Sequence, residues 1–290
     1  MPTVVNFGKL SNTNDELYKI EDSTIPPLVI SHFDNDELKN ETNRVKLEFY
    51  SENGKLTYVE DKTLFDNKGN KVLSLSKKDD PTNTVSNKCY LRIPYEHPSN
   101  LTFNDKNFRI SGWFKWDGFE KTARNQVLFG QGDDGYVGTG SAGSFCVFIS
   151  SKGFLSLKIS TSTAQDSGSV KTLIQNSSIL MDNSWHLIEL IKNDTDVGLY
   201  YDTIKVISLT TNKYLYQKNA LTYPFLIGAL GRKETTTATV ENIGTTYFLG
   251  DIEEFYMDCR DIIFAPTQSK INKKRYNWEP TGGSHRQILE

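Results

Sequence analysis

Apolar and polar residues alternate at a period of two through most of the chain, in short runs separated by Gly, Asn, Asp and Ser. That spacing predicts the strands of an antiparallel sandwich or barrel and no long amphipathic helix. In Phe108-Arg109-Ile110-Ser111-Gly112-Trp113-Phe114-Lys115-Trp116, the side chains of Phe108, Ile110 and Phe114 share one face. Arg109, Ser111 and Lys115 share the other. Residues 126–129, 144–149 and 153–159 continue the pattern. Residues 185–191 are apolar on both faces, which marks a central strand covered on both sides. Residues 199–202 and 204–209 form the next hairpin, and 225–228 and 247–257 close the series. Nearer the start, residues 45–50 and 55–59 flank Asn53-Gly54. Asn-Gly supplies the positive φ angles of a tight turn, so these two runs are expected to pair with each other. A second polar turn, residues 66–70, leads into residues 71–75. The expected core includes Ile110, Trp113, Trp185, Ile188, Leu190 and Phe255.

Three segments follow from this pattern: an N-terminal arm over 1–27, a sandwich over 28–258 and a C-terminal tail over 259–290. The first ends at Pro26-Pro27, which breaks regular structure and marks a linker. The tail carries Lys270, Lys273, Lys274 and Arg275 with Tyr276 and Trp278 beside them. A solvated tail is the plain reading of the charges. A docking arm is the sharper one, because large aromatics need a surface to cover them. Phe7, Leu10 and Leu17 raise the same question at the other end.

Composition narrows the function classes. With 290 residues, 37% hydrophobic and 12% aromatic, the chain can bury a sizeable core without metal or disulfide staples. A formal charge of −3 gives no support for nucleic-acid binding. No apolar run approaches the ~20 residues of a membrane span, and the first residues lack the pattern of a secretory signal. Cys89, Cys146 and Cys259 are too few and too scattered for a disulfide framework or zinc site, so they are expected to be reduced. Together these features predict folding in a reducing cytoplasm. The Asn-x-Ser/Thr triplets at Asn40, Asn100, Asn176 and Asn193 are then a matter of composition, not glycosylation.

Candidate chemistry is sparse. His32, His97, His186 and His285 join no recognisable nucleophile motif, and His186, inside an apolar strand, is expected to be a hydrogen-bonded core residue. Gly130-Gln131-Gly132-Asp133-Asp134-Gly135 matches a dinucleotide fingerprint in form. The glycine-rich stretch behind it cannot supply the helix that the motif needs. Residues 130–143 are instead expected to form a long loop at the sandwich edge. Asp133, Asp134 and Tyr136 would be its ligand- or partner-binding residues, alongside Tyr276 and Trp278 in the tail.

Several of these runs also resemble, in order, the laminin-G-like/pentraxin branch of the concanavalin-A-like lectins. Leu28-Val29-Ile30-Ser31-His32-Phe33-Asp34 resembles that family's opening strand, which often ends in His-Phe-Asp. Phe108, Ile110, Trp113 and Phe114 match a later strand, and Trp185-His186-Leu187-Ile188 matches another. Leu199-Tyr200-Tyr201-Asp202 is similar to a Leu-Tyr-x-Asp-Gly hairpin, with Thr203 in place of Gly. Gly250-Asp251-Ile252-Glu253-Glu254 is similar to the closing Gly-x-Ile-Asp-Glu strand, with Glu253 in place of Asp. The resemblance implies an all-β, two-sheet antiparallel jelly-roll sandwich. No Glu-x-Asp-x-x-Glu spacing of the kind glycosidases on this fold use is present, so no catalysis and no catalytic residue is expected. No cofactor is specified. Calcium is the one ion the resemblance admits, through Asp34, Asp36 and Glu253 or through Asp133 and Asp134, although ordinary turn chemistry accounts for the same residues. Similar domains in bacteriophage structural proteins imply a virion structural or decoration protein, assembled in the host cytoplasm. Its partners would be other virion proteins or further copies of itself. The alternative is a lectin that recognises host glycans, and a glycan-cleaving enzyme ranks last.

Overall fold

The computed structural model describes, with side chains, residues 29, 31, 33, 38, 47–61, 71–75, 88–93, 103, 106–116, 125–132, 144–160, 183–211, 215, 224–231 and 247–258. It also describes the backbone of the remaining strand residues. No helix occurs among the described residues. Among the described residues, sixteen strands form two eight-stranded sheets. They are β1 (Val29–Ser31), β2 (Glu48–Ser51), β3 (Thr57–Asp61), β4 (Asn70–Ser74), β5 (Cys89–Ile93), β6 (Phe108–Trp116), β7 (Gln126–Gly132) and β8 (Gly143–Ile149). The series continues with β9 (Leu155–Ala164), β10 (Ser167–Ile174), β11 (Trp185–Asn193), β12 (Asp196–Tyr201), β13 (Ile204–Thr210), β14 (Tyr214–Leu215), β15 (Phe225–Ile227) and β16 (Gly250–Asp258). Sheet I runs β10-β9-β8-β7-β15-β5-β2, with β14 also paired to β9. Sheet II runs β13-β12-β11-β6-β16-β4-β3, with β1 also paired to β16. Every pairing is antiparallel.

The period-two pattern places aromatic rings from both sheets between them. Phe108, Phe114 and Phe255 come from sheet II, Phe129, Phe145 and Phe225 from sheet I, and all six are buried. Phe108 stacks on Phe145 with centroids 5.2 Å apart, and Phe255 meets Phe129 edge-on at 5.9 Å. Such pairs contribute about 0.5–1.5 kcal/mol each beyond the area they bury. This zipper makes the two layers one sandwich. β11 is a central strand, buried along most of its length, as its two apolar faces predict.

Three sequence expectations need correction. Gly54 does sit at φ +65°, donating its N–H to Ser51 O at 2.9 Å. The strands around that turn do not pair, however. β2 pairs with β5 in sheet I, and β3 pairs with β4 in sheet II, so the chain crosses between layers there. Second, Gly130, Gln131 and Gly132 are not loop but the buried end of β7. A Cβ at Gly130 would lie 2.6 Å from Phe145 O, so glycine there answers close approach by β8. Third, Trp113 and Trp185 are only half-buried, because they project from the outer face of sheet II and not into the sandwich. Arg109 and Ser111 lie on that same outer face and are buried.

Four further antiparallel pairs lie outside the two sheets: Tyr18–Ile20 with Ile262–Phe264, Lys77–Lys78 with Val85–Ser86, Arg232–Lys233 with Val240–Glu241, and Tyr276–Thr281 with Ser284–Leu289. The backbone of the tail thus contains a hairpin, and a strand of the N-terminal arm pairs with one that follows the sandwich.

Candidate binding site

β2 is the last strand of sheet I, and its sequence alternates an acid, a tyrosine and an acid on one face: Glu48, Tyr50 and, just past the strand, Glu52. The strand beside it presents Arg92, Tyr90 and Lys88 in register. Three rungs result. Arg92 donates from Nε and Nη2 to Glu48 Oε2 at 2.9 and 2.7 Å. Tyr50 lies nearly parallel to Tyr90 with centroids 5.0 Å apart. Lys88 Nζ meets Glu52 Oε1 at 3.1 Å, and the Lys88 backbone N–H donates to Glu52 Oε2 at 3.3 Å.

The middle rung is anchored from below. Tyr90 is buried and packs with Leu226, Ala229 and Tyr247 on the outside of sheet I. The Tyr90 and Tyr247 rings are 6.4 Å apart. Burial holds the hydroxyls of both well above the ordinary tyrosine value; the nearby Tyr247 adds to the rise at Tyr90, and Tyr50, Glu52 and Cys89 add to it at Tyr247. Tyr50 is the outer member of this row and is 40% exposed. An exposed ring fixed against a buried one, with ion pairs on both sides, offers an apolar stacking surface between fixed hydrogen-bonding groups. Small-molecule sites combine these two elements.

The residues singled out from sequence are distributed differently. Asp34, Asp36, Asp133, Asp134 and Tyr136 lie outside the described residues. Tyr276 and Trp278 fall in the backbone hairpin of the tail. Glu253 is buried on β16, opposite Trp113, and Glu254 beside it is the extra residue of a bulge, at φ +46°. Among the described residues no three acidic, histidine or cysteine side chains converge on one point. Of the residues expected to hold calcium, only Glu253 lies among the described ones. His186 is held as its apolar strand predicts: its Nδ1 lies 2.8 Å from Asp202 Oδ2 and its Nε2 2.8 Å from Tyr201 Oη. Two further carboxylates of sheet II are engaged structurally. Glu189 accepts from Arg109 Nε at 2.6 Å, and Asp61 is paired with Lys115 at 2.8 Å.

The Tyr50 face is missing from the sequence-level candidates, although its signal is present. Glu-x-Tyr-x-Glu over 48–52 and Lys-x-Tyr-x-Arg over 88–92 are complementary in charge. Only the pairing of two strands 40 positions apart makes them one surface.

No family model matches the chain, and no curated protein matches it in sequence. By structure the chain is an antiparallel two-sheet β-sandwich. It is similar to domain 4 of a GH43 extracellular arabinanase from Geobacillus stearothermophilus, solved in complex with arabinotriose. That likeness has a TM-score of 0.52 at 16% identity and covers 85% of this chain and 96% of that one. It is also similar to the binding domain of botulinum neurotoxin DC, solved in complex with SialylT, at a TM-score of 0.51 and 11% identity. The same domain in complex with rat synaptotagmin II gives 0.50 and 10%. In both cases 85% of this chain is covered, and it spans only about half, 50%, of the neurotoxin domain. At these identities the likeness concerns the fold.

Proposed function

We propose that the chain is a non-catalytic glycan-binding module that works through the three-rung face around Tyr50. The observation that carries this reading is the Tyr50 ring, exposed at the sheet edge yet fixed against buried Tyr90 and flanked by two ion pairs. A solvent-facing tyrosine with no partner would adopt many rotamers; here the ordering cost is met by the fold. A sugar ring offers an apolar C–H face to stack on Tyr50 and hydroxyls for the groups beside it. The shared fold with a domain solved in complex with arabinotriose supports a scaffold of this shape carrying a glycan site.

The test is calorimetric titration of the full chain with neutral and anionic oligosaccharides, with Tyr50→Ala as the comparison. Tyr50→Ala should weaken binding at least tenfold and leave the melting temperature nearly unchanged. Unaltered binding in that variant, or release of cleaved sugar by the wild type, contradicts the reading.

The narrower setting proposed for the module is a bacteriophage particle, in which it would act as a structural or decoration protein assembled in the host cytoplasm. Its support is the ordered set of motifs resembling lectin-like phage domains, together with segments flanking the sandwich at both ends. Finding the chain in purified particles, and losing it from them when residues 260–290 are removed, is the corresponding measurement.

A further inference from the structure

We infer that Glu48 is the specificity-determining residue of the Tyr50 face and restricts it to neutral, extended glycans. This rests on the glycan-binding reading of that face and goes further, to the class of sugar. Among the described residues, the cations on the face, Arg92 and Lys88, are paired with Glu48 and Glu52. An arginine held ready for a carboxylate or phosphate would present its planar fork outward. Arg92 instead spends its Nε and Nη2 donors on Glu48, in a pair whose side chains are 24% and 23% exposed. A uronic or sialic acid approaching Tyr50 would meet the Glu48 and Glu52 carboxylates on either side of the ring. Among the described residues it would gain no uncompensated positive charge in return.

Neutral hydroxyls face no such penalty, since each both donates and accepts. The same geometry sets a minimum length. Same-face positions on an antiparallel strand recur about every 6.8 Å, so three rungs extend for about 14 Å, longer than one sugar ring. A ligand using all three must be a chain lying along β2, with one unit on Tyr50 and its neighbours beside the two ion pairs.

The experiment titrates the full chain with arabinotriose, cellotriose and mannotriose as neutral probes, and with trigalacturonate and 3′-sialyllactose as anionic ones. The best neutral trisaccharide should bind at least tenfold more tightly than either anionic probe, and at least tenfold more tightly than its own monosaccharide. Glu48→Gln keeps the shape of the rung and releases the Arg92 charge. It should strengthen binding of the anionic probes at least fivefold, with the gain lost in high salt. A wild type that prefers an anionic probe, or a neutral-to-anionic ratio unmoved by Glu48→Gln, overturns the inference about Glu48. Tyr50→Ala distinguishes this from failure of the underlying reading. If binding of every probe survives that substitution, or no probe binds at all, the glycan-binding face itself is wrong and the specificity claim falls with it.

Discussion

Thr203 is held at φ +71°, directly after Asp202 at +46°. Two successive positive φ angles match the right-handed twist of the flanking strands β12 and β13, and Asn or Gly usually supplies them. A β-branched residue in that region carries strain of about 1–3 kcal/mol, which persists only where the surroundings over-determine it. The surroundings here are visible. Asp202 donates its N–H to Leu187 O at 2.9 Å, accepts from Leu187 N at 2.9 Å, and meets His186 Nδ1 at 2.8 Å. The turn is therefore fastened to β11 whatever occupies position 203. Thr203→Gly should stabilise the protein by about 1 kcal/mol, visible as a higher denaturant midpoint at unchanged slope. A lower midpoint would show that contacts of the Thr203 side chain outweigh the relieved strain. The local sequence, Leu199-Tyr200-Tyr201-Asp202, announced this hairpin correctly because a tight turn is decided by adjacent residues.

At the scale of elements, closeness between strands explains what local sequence misjudged. Gly130 looks like loop because glycine-rich segments usually are. In the fold β7 and β8 approach so closely that a Cβ at Gly130 would lie 2.6 Å from Phe145 O and 2.7 Å from Cys146 Cα. Backbone atoms form most of that wall, so it cannot yield as a flexible side chain does. Gly130→Ala should cost about 3 kcal/mol, at the upper end of overpacking losses. A melting temperature within a degree of wild type would show that the strands separate without penalty. The edge strand β2 teaches a related lesson. Its turn at Asn53-Gly54 was legible, but its partner was not. A turn fixes where a chain reverses, while pairing depends on which distant strand offers matching side chains. Here the match is Lys88, Tyr90 and Arg92. The candidate site was unreadable for the same reason, being half of one strand and half of another.

The whole molecule adds burial to residues that periodicity alone would place in water. On the outer face of sheet II, Arg109, Glu189 and Tyr200 are all buried. Burial, reinforced by the nearby Glu189 charge, raises the Tyr200 hydroxyl to about 12, and burial raises the Cys89 thiol to about 12. Burial also pushes Cys146, Tyr90 and Tyr247 upward. Each group keeps its proton in the folded state at pH values where the unfolded chain has lost it. The stabilisation is complete below the ordinary values of 9.0 for Cys89 and 10.0 for Tyr200, and it is lost as pH rises through about 12. The melting temperature should thus be flat with respect to these groups up to about pH 8.5 and fall steadily from there. A melting temperature unchanged between pH 8 and 11 would mean that these groups ionise freely in the folded protein.

The sequence by itself determined the all-β class, the doubly covered central strand β11, the hydrogen-bonded role of His186 and the position of the tight turns. Each of these depends on neighbours a few residues away or on a period of two. Tertiary structure alone decided that β2 and β3 join different sheets, that Gly130 is a packing requirement, and that Trp113 and Trp185 project outward from the sandwich. It also brought Glu48, Tyr50, Lys88, Tyr90 and Arg92 into one surface. The physical reason is the same throughout: alternation assigns a side chain to a face, and only the register between distant strands decides what covers that face and which residues meet on it.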